Sequence, residues 1–297
     1  MDDRALSPRP AGNPPVDALI ANIRRVFIGD ESVVRLVATA LLAHGHLLIE
    51  DVPGIGKTLL GIALARSIDV SFKRIQFTND LLPSDILGLS IFNPQTRGFE
   101  FMRGPIFSQI ILADEINRTT PKTQSALLEA MSDLRVTVDG QTYPLPTPFM
   151  IIATQNPVEY HGTFPLPEAQ LDRFLLRLKI GYPARDDEAR IIRGADYYEQ
   201  AQILPPVLTA ADVVALQGAV DSVRLENALL GYILDLVKET RNSRTVKLGA
   251  SPRGALLLRR AAQAFALTFG RDHVTPDDIQ AMAVPVLAHR IIIDSQS

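Results

Sequence analysis

The feature that most limits what this chain can become is a strand, a glycine-rich loop and a helix in immediate succession. Residues 46–50 are a short apolar run, Asp51-Val52-Pro53-Gly54-Ile55-Gly56 ends it abruptly, and residues 57–66 carry good helix formers. Further short apolar runs at 72–77, 109–113, 149–154 and 175–180 alternate with helical patterns. Strands that alternate with helices predict a five-stranded parallel sheet covered on both faces, an α/β fold whose ligand sites lie at the carboxyl ends of the strands. Residues 90–93 with 99–102, after a short helix at 83–87, and 135–138 with 141–143 read as two inserted hairpins, the second turning on Asp139-Gly140.

Before the first strand, residues 17–43 read as two helices broken by a turn at 27–30. Beyond Tyr182-Pro183 the strand signals stop. Helical patterns at 186–198, 210–220, 226–240, 252–269 and 276–288 predict an all-helical second part, with Ser251-Pro252 and Thr275-Pro276 as N-cap and first-turn signals. The expected division is a flexible tail at 1–16, the α/β domain at 17–183 and a helical lid at 184–297.

Composition removes several classes. With no cysteine among 297 residues there is neither a disulfide nor a thiolate metal site. The net charge of −3, with scattered positive residues, speaks against nucleic acid as the main partner. Residues 1–16 hold four prolines and no apolar run of the signal-peptide kind, and the apolar stretch at 36–49 is too short to span a bilayer. A soluble, cytoplasmic protein without membrane insertion is the expectation.

Residues 51–58, DVPGIGKT, match the phosphate-binding pattern G-x-x-x-x-G-K-T except at the first position, where Asp51 replaces glycine. The physics survives that change. Gly54 and Gly56 let backbone amides turn toward a phosphate, helped by Val52, Pro53, Ile55 and Leu59 around them; Lys57 supplies a point charge and Thr58 a hydroxyl for Mg²⁺. A plain glycine-rich turn before a helix is the alternative. The run Ile110-Ile111-Leu112-Ala113 then delivers Asp114 and Glu115 at a strand end, one acid suited to hold Mg²⁺ through a water and the other to activate an attacking water. A solvated strand end would carry the same residues.

On the strings EDVPGIGKT (50–58), LADEINR (112–118), ATQNP (153–157), GTFPLPEAQLDRF (162–174) and SPRG (251–254), the chain resembles the AAA+ superfamily, and within it the MoxR family, over residues 17–290. The resemblance implies a P-loop αβα sandwich with a helical lid, ATP with Mg²⁺ as its nucleotide and metal, and a ring-shaped homo-oligomer, a hexamer. It implies a sensor role for Asn156, for which an Asx-turn before Pro157 is the alternative. It gives Arg253 the part of a second sensor reaching the phosphates of its own subunit, against a plain surface arginine, and Ile28 and Gly29 a place behind the adenine, against an ordinary turn. Arg173 looks like the arginine finger that completes a neighbour's site, with Arg118 and Arg177 as competitors and an ion pair with Asp172 as the bland reading. The hairpins correspond to two inserts of this branch, where Phe92, Phe99 and Phe101 either meet a partner or pack.

Proteins of this type commonly act with von Willebrand factor A domain partners in a chaperone-like remodelling of other proteins or metalloenzymes; the client stays unknown. Competing expectations are a nucleotide-gated scaffold with slow hydrolysis, a nucleic-acid machine, and the ATPase subunit of a metal chelatase.

Overall fold

A computed structural model describes residues 12–156, 163–194 and 196–294. Helices α1 (Pro14–Ile23) and α2 (Glu31–Leu42) lead into β1 (Leu47–Glu50), α3 (Lys57–Ser67) and β2 (Phe72–Gln76). A short α4 (Pro83–Leu87) opens the hairpin β3 (Gly88–Asn93) and β4 (Gly98–Arg103). Strand β5 (Ile110–Asp114) and α5 (Pro121–Asp133) precede the second hairpin, β6 (Arg135–Val138) and β7 (Gln141–Pro144). Next come β8 (Met150–Gln155), α6 (Glu168–Leu171) and β9 (Leu176–Leu178), the last strand of the main sheet. The lid follows as α7 (Arg185–Ile192), α8 (Tyr197–Gln202), α9 (Ala210–Asp221), α10 (Asn227–Asn242), β10 (Val246–Leu248), α11 (Pro252–Thr268), α12 (Pro276–Leu287) and β11 (Ile292–Ile293).

The main sheet runs β2-β5-β8-β1-β9 with every pairing parallel. Its inner strands β5, β8 and β1 are short and apolar because side chains on both faces meet helices, and the two-residue period divides them. Leu47, Ile49, Ile110, Leu112 and Ile152 join the core under α1, α2, α3 and the lid. Leu48, Ile111, Ala113, Ile151 and Ala153 point the other way, into a second core with Leu127, Leu128 and Phe174. His46 closes the lower end of β1: its Nδ1 accepts from the Ile151 amide at 3.0 Å, its Nε2 lies 3.2 Å from the Met131 carbonyl, and burial lowers its pKa to about 4.

Several expectations shift. The chain becomes helical at Pro14, inside the segment expected to be tail, because Asn13 accepts from the Val16 amide and Val16 is fully buried. The helix expected over 186–198 is two, α7 and α8, and Gly194 between them adopts φ +92°. The lid is helical but also carries a two-stranded antiparallel ribbon, β10 with β11. Nor is residue 183 a break in packing: α11 lies against α2, Arg260 Nε donates to the Ala43 carbonyl at 2.8 Å, and Gln217 Nε2 to that of Leu41 at 2.7 Å. Within the hairpins, Phe92 and Phe99 are exposed, whereas Phe101 stacks on Tyr143 at 4.4 Å between ring centres and so packs one hairpin on the other.

Candidate functional site: a two-part cleft at the carboxyl edge of the sheet

Parallel strands bring their carboxyl ends to one edge, and the loop after β1 opens there. Gly54 and Gly56 take φ of +86° and +90°, a left-handed conformation that glycine adopts without penalty. Gly56 caps α3 with no side chain of its own in the way, leaving the positive end of that helix facing the cleft. The half-buried Lys57 ammonium donates to the Asp51 carbonyl at 2.5 Å. Loss of water around it lowers its pKa below the usual lysine value, against the pull of the Asp51, Asp114 and Glu115 carboxylates.

Asp114 and Glu115 stand opposite. Asp114 Oδ1 accepts from Thr154 Oγ1 at 2.6 Å, and Oδ2 from Arg74 at 2.6 Å. The same Thr154 oxygen accepts the Glu115 amide at 2.9 Å, so one hydroxyl from β8 fixes both acids. Glu115 has a left-handed backbone, φ +59° and ψ +48°, a conformation that costs a residue with a Cβ about 1–2 kcal/mol. Its carboxylate accepts from Gln76 Nε2 at 2.9 Å and pairs with Arg118 Nε at 3.2 Å. Asn156, nearly buried at the end of β8, lines the same cleft as Lys57, Thr58, Asp114 and Glu115, a cavity of about 340 Å³.

A larger cavity of about 600 Å³ adjoins it, sharing Pro53, Gly54, Gly56 and Leu59. Ile28, Gly29 and Ile55 line this second part with Ile180 and Ile191, an apolar enclosure shaped for a flat base beside a polar end shaped for phosphates. Asp51 and Val52 line neither cavity. Instead the Asp51 carboxylate accepts from the amides of Val52 at 2.8 Å, Ile180 at 2.8 Å and Gly181 at 2.7 Å. Aspartate at this first position ties the phosphate loop to the chain entering α7, a job no glycine could do.

The structure also supplies what sequence reasoning missed. Arg74, Gln76, Thr154 and Tyr198 line the phosphate part. The polar end of β2 pairs with β5 so that Gln76 sits beside Asp114, which the Lys-Arg-Ile-Gln run could have signalled; Tyr198, from α8, has no local signal.

The arginines divide into two sets. Arg118 is at the cleft beside Glu115, and Arg177 donates to Glu50 at 3.0 Å. Arg173 donates to the Leu128 carbonyl at 2.8 Å and to the Ser132 hydroxyl, not to Asp172. Asp172 is held by Arg290 at 2.7 Å, with Arg253 3.7 Å away. Arg173 and Arg253 line neither cavity. Arg253 was expected at the phosphates of its own subunit; the packing of α11 against α2 and α12 instead opens the start of α11 beside Asp172. Residues 157–162, which include Pro157 and Gly162 of the expected motifs, lie outside the described residues.

Comparison with known proteins agrees with this geometry. The family described as ATPase family associated with various cellular activities (AAA) matches residues 46–176, and the AAA lid domain matches 238–297. YeaC of Bacillus subtilis is 50% identical over 285 residues, covering 96% of this chain and 89% of that protein. Chaperone MoxR1 of Mycobacterium tuberculosis is 39% identical over 291 residues, covering 94% and 76%. The crystal structure of a protein from Cytophaga hutchinsonii superimposes with a TM-score of 0.88 at 38% identity, covering 96% of this chain and 89% of that one. Among the described residues, no helix is long and apolar enough to cross a membrane.

Proposed function

Because this chain belongs to the MoxR family of AAA+ ATPases, we propose that it couples ATP hydrolysis to the remodelling of a partner protein, as a ring of copies in which each site is completed by its neighbour. The observation that carries the reading is the division of charge. Lys57, Thr58, Asp114, Glu115 and Asn156 converge on one cleft continuous with an apolar cavity, whereas Arg173 and Arg253 stand outside it.

In this reading the base lies against Ile28, Gly29 and Ile55, and the triphosphate runs along the loop to the start of α3. Lys57 holds the β and γ phosphates. The Thr58 hydroxyl and the Asp114 carboxylate are hard oxygen donors that suit Mg²⁺, which when bound neutralises charge on the phosphates. Glu115 takes a proton from the attacking water as its oxygen bonds to the γ phosphorus and the bond to the ADP oxygen breaks. Asn156 orients that water. Charge building on the transferred group is met by Arg173, assisted by Arg253, from an adjacent copy; six copies make the ring, and it works in the cytoplasm.

The name of the Mycobacterium tuberculosis relative, a chaperone, supports a remodelling role. The exposed Phe92 and Phe99 side chains offer the surface for a partner, a von Willebrand factor A domain protein in this reading. Glu115→Gln tests it. Turnover should fall by about a hundredfold or more with ATP still bound, and a partner engaged in the ATP state should stay on the ring. Undiminished turnover in this variant would remove Glu115 from the mechanism.

A further inference from the structure

The segment that presents Arg173 is gripped from the far end of the chain. Arg290, in the single turn Ala288–Arg290 that follows α12, is buried, its side chain 2% exposed. Its Nε donates to Asp172 Oδ1 at 2.7 Å and its Nη2 to the carbonyls of Asp172 at 3.1 Å and Phe174 at 2.5 Å. Nη1 reaches the Leu175 carbonyl at 3.4 Å and that of Val286. The acceptors at 172, 174 and 175 flank Arg173 on both sides. From the neighbouring position, His289 Nε2 lies 3.0 Å from the same Phe174 carbonyl. The approach leaves little room at α11: a Cβ on Gly254 would meet Arg290 Cδ at 3.3 Å and Leu287 at 3.6 Å. Only guanidinium offers five N–H donors in one rigid plane, and this site directs them to the Asp172 carboxylate and to backbone oxygens that a lysine, with three donors on a flexible stem, cannot reach together.

We infer that Arg290 is a positioning residue for the arginine finger: by clamping the backbone on either side of Arg173, the last turn of the lid sets how that side chain is offered to the neighbouring copy. The inference rests on the reading of Arg173 as acting across the subunit boundary. It makes the lid a participant in the next subunit's reaction as well as a neighbour of its own nucleotide cavity. The Asp172 carboxylate serves the same end, because it locks the guanidinium in place while Arg253 lies alongside.

The test is complementation between copies of the full-length protein. Arg290→Lys keeps the charge and should lower turnover by about tenfold to a hundredfold, the scale of a misplaced catalytic group, with nucleotide affinity and ring size in ATP unchanged. Mixed in equal amounts with Glu115→Gln, it should regain turnover severalfold, because Glu115→Gln copies carry an intact finger to sites whose own Glu115 is intact. Arg173→Ala mixed with Glu115→Gln is the control. If the control recovers and Arg290→Lys does not, or if Arg290→Lys alone turns over normally, Arg290 is only a structural residue and the inference fails. If the control itself does not recover, finger action between subunits is wrong and the inference falls with it. Should Arg290→Lys not fold, Asp172→Asn in the same mixture gives the same decision.

Discussion

The phosphate cleft and the arginine segment both depend on charged side chains, but they are held in opposite ways. In the cleft, Glu115, Gln76, Asp114 and Thr154 come from the ends of adjacent strands, and sheet register alone brings them within hydrogen-bonding distance. The arginine segment is held this way only at its end, where the Leu175 amide donates to the His46 carbonyl at 2.9 Å. Residues 172–175 are fixed by Arg290, a side chain from the last turn of the lid, and Arg173 rests on the Leu128 carbonyl at the opposite side. A register-built site tolerates motion elsewhere, whereas a clamped one follows whatever moves its clamp. If the proposed function holds, chemistry inside one copy and assistance to the next are thereby under separate structural control.

Arg173→Ala should have the largest effect of any change in the arginine segment. Turnover should fall about a thousandfold or more, equivalent to about 4 kcal/mol of barrier, while ATP affinity measured by titration stays within twofold or so. A parallel loss of affinity would place Arg173 in its own copy's cleft.

Acid should reach the arginine segment through His289, whose pKa burial and the nearby Arg290 charge lower to about 3. An unfolded histidine titrates near 6.5, so the unfolded chain takes up the proton first. The stabilising contribution is complete above about pH 6.5 and is lost as pH falls toward the folded value. Between pH 7.5 and 4.5 that amounts to about 3 kcal/mol, read as the part of the urea-midpoint shift that disappears in His289→Gln. An unchanged pH dependence in that variant would show that the imidazole is not neutral and buried in solution.

Asp51→Ala leaves the amides of Ile180 and Gly181 without their acceptor and should cost about 1–3 kcal/mol of stability by denaturant titration. Its effect on turnover should be smaller than that of Glu115→Gln, since Asp51 lines neither cavity. The smallest expected change is Arg253→Ala, where a half-exposed ion pair at 3.7 Å predicts less than about 1 kcal/mol in melting experiments. A larger loss would mean that Arg253 holds the segment together as Arg290 does.

How far the sequence spoke depended on the distance over which each feature is made. The five sheet strands, the loop between β1 and α3, and both hairpins are built from contiguous residues, so apolar runs and turn dipeptides were enough to locate them. The break between α7 and α8 turns on one glycine with positive φ, which periodicity averages away. The ribbon of β10 and β11 joins Val246 to Ile293, pieces too short to signal strands by themselves. Arg74 and Gln76 reach the acids only through the pairing of β2 with β5. Arg290 meets Asp172 across 118 positions of sequence, and nothing local to either residue announces the contact. Arg253 stands outside both cavities for the same reason: its motif lies at the start of α11, but where that start points is decided by helix packing.

One feature of the main sheet reaches beyond chemistry. Strands β1 and β5 have walls on both sides, so adding or deleting a single residue within either would send every following side chain to the opposite wall. Growth in chain length has room only where the backbone emerges into solvent, and the two hairpins occupy such places. The surfaces this molecule shows to the outside can therefore change in size and shape while the reaction centre at the strand ends keeps its register.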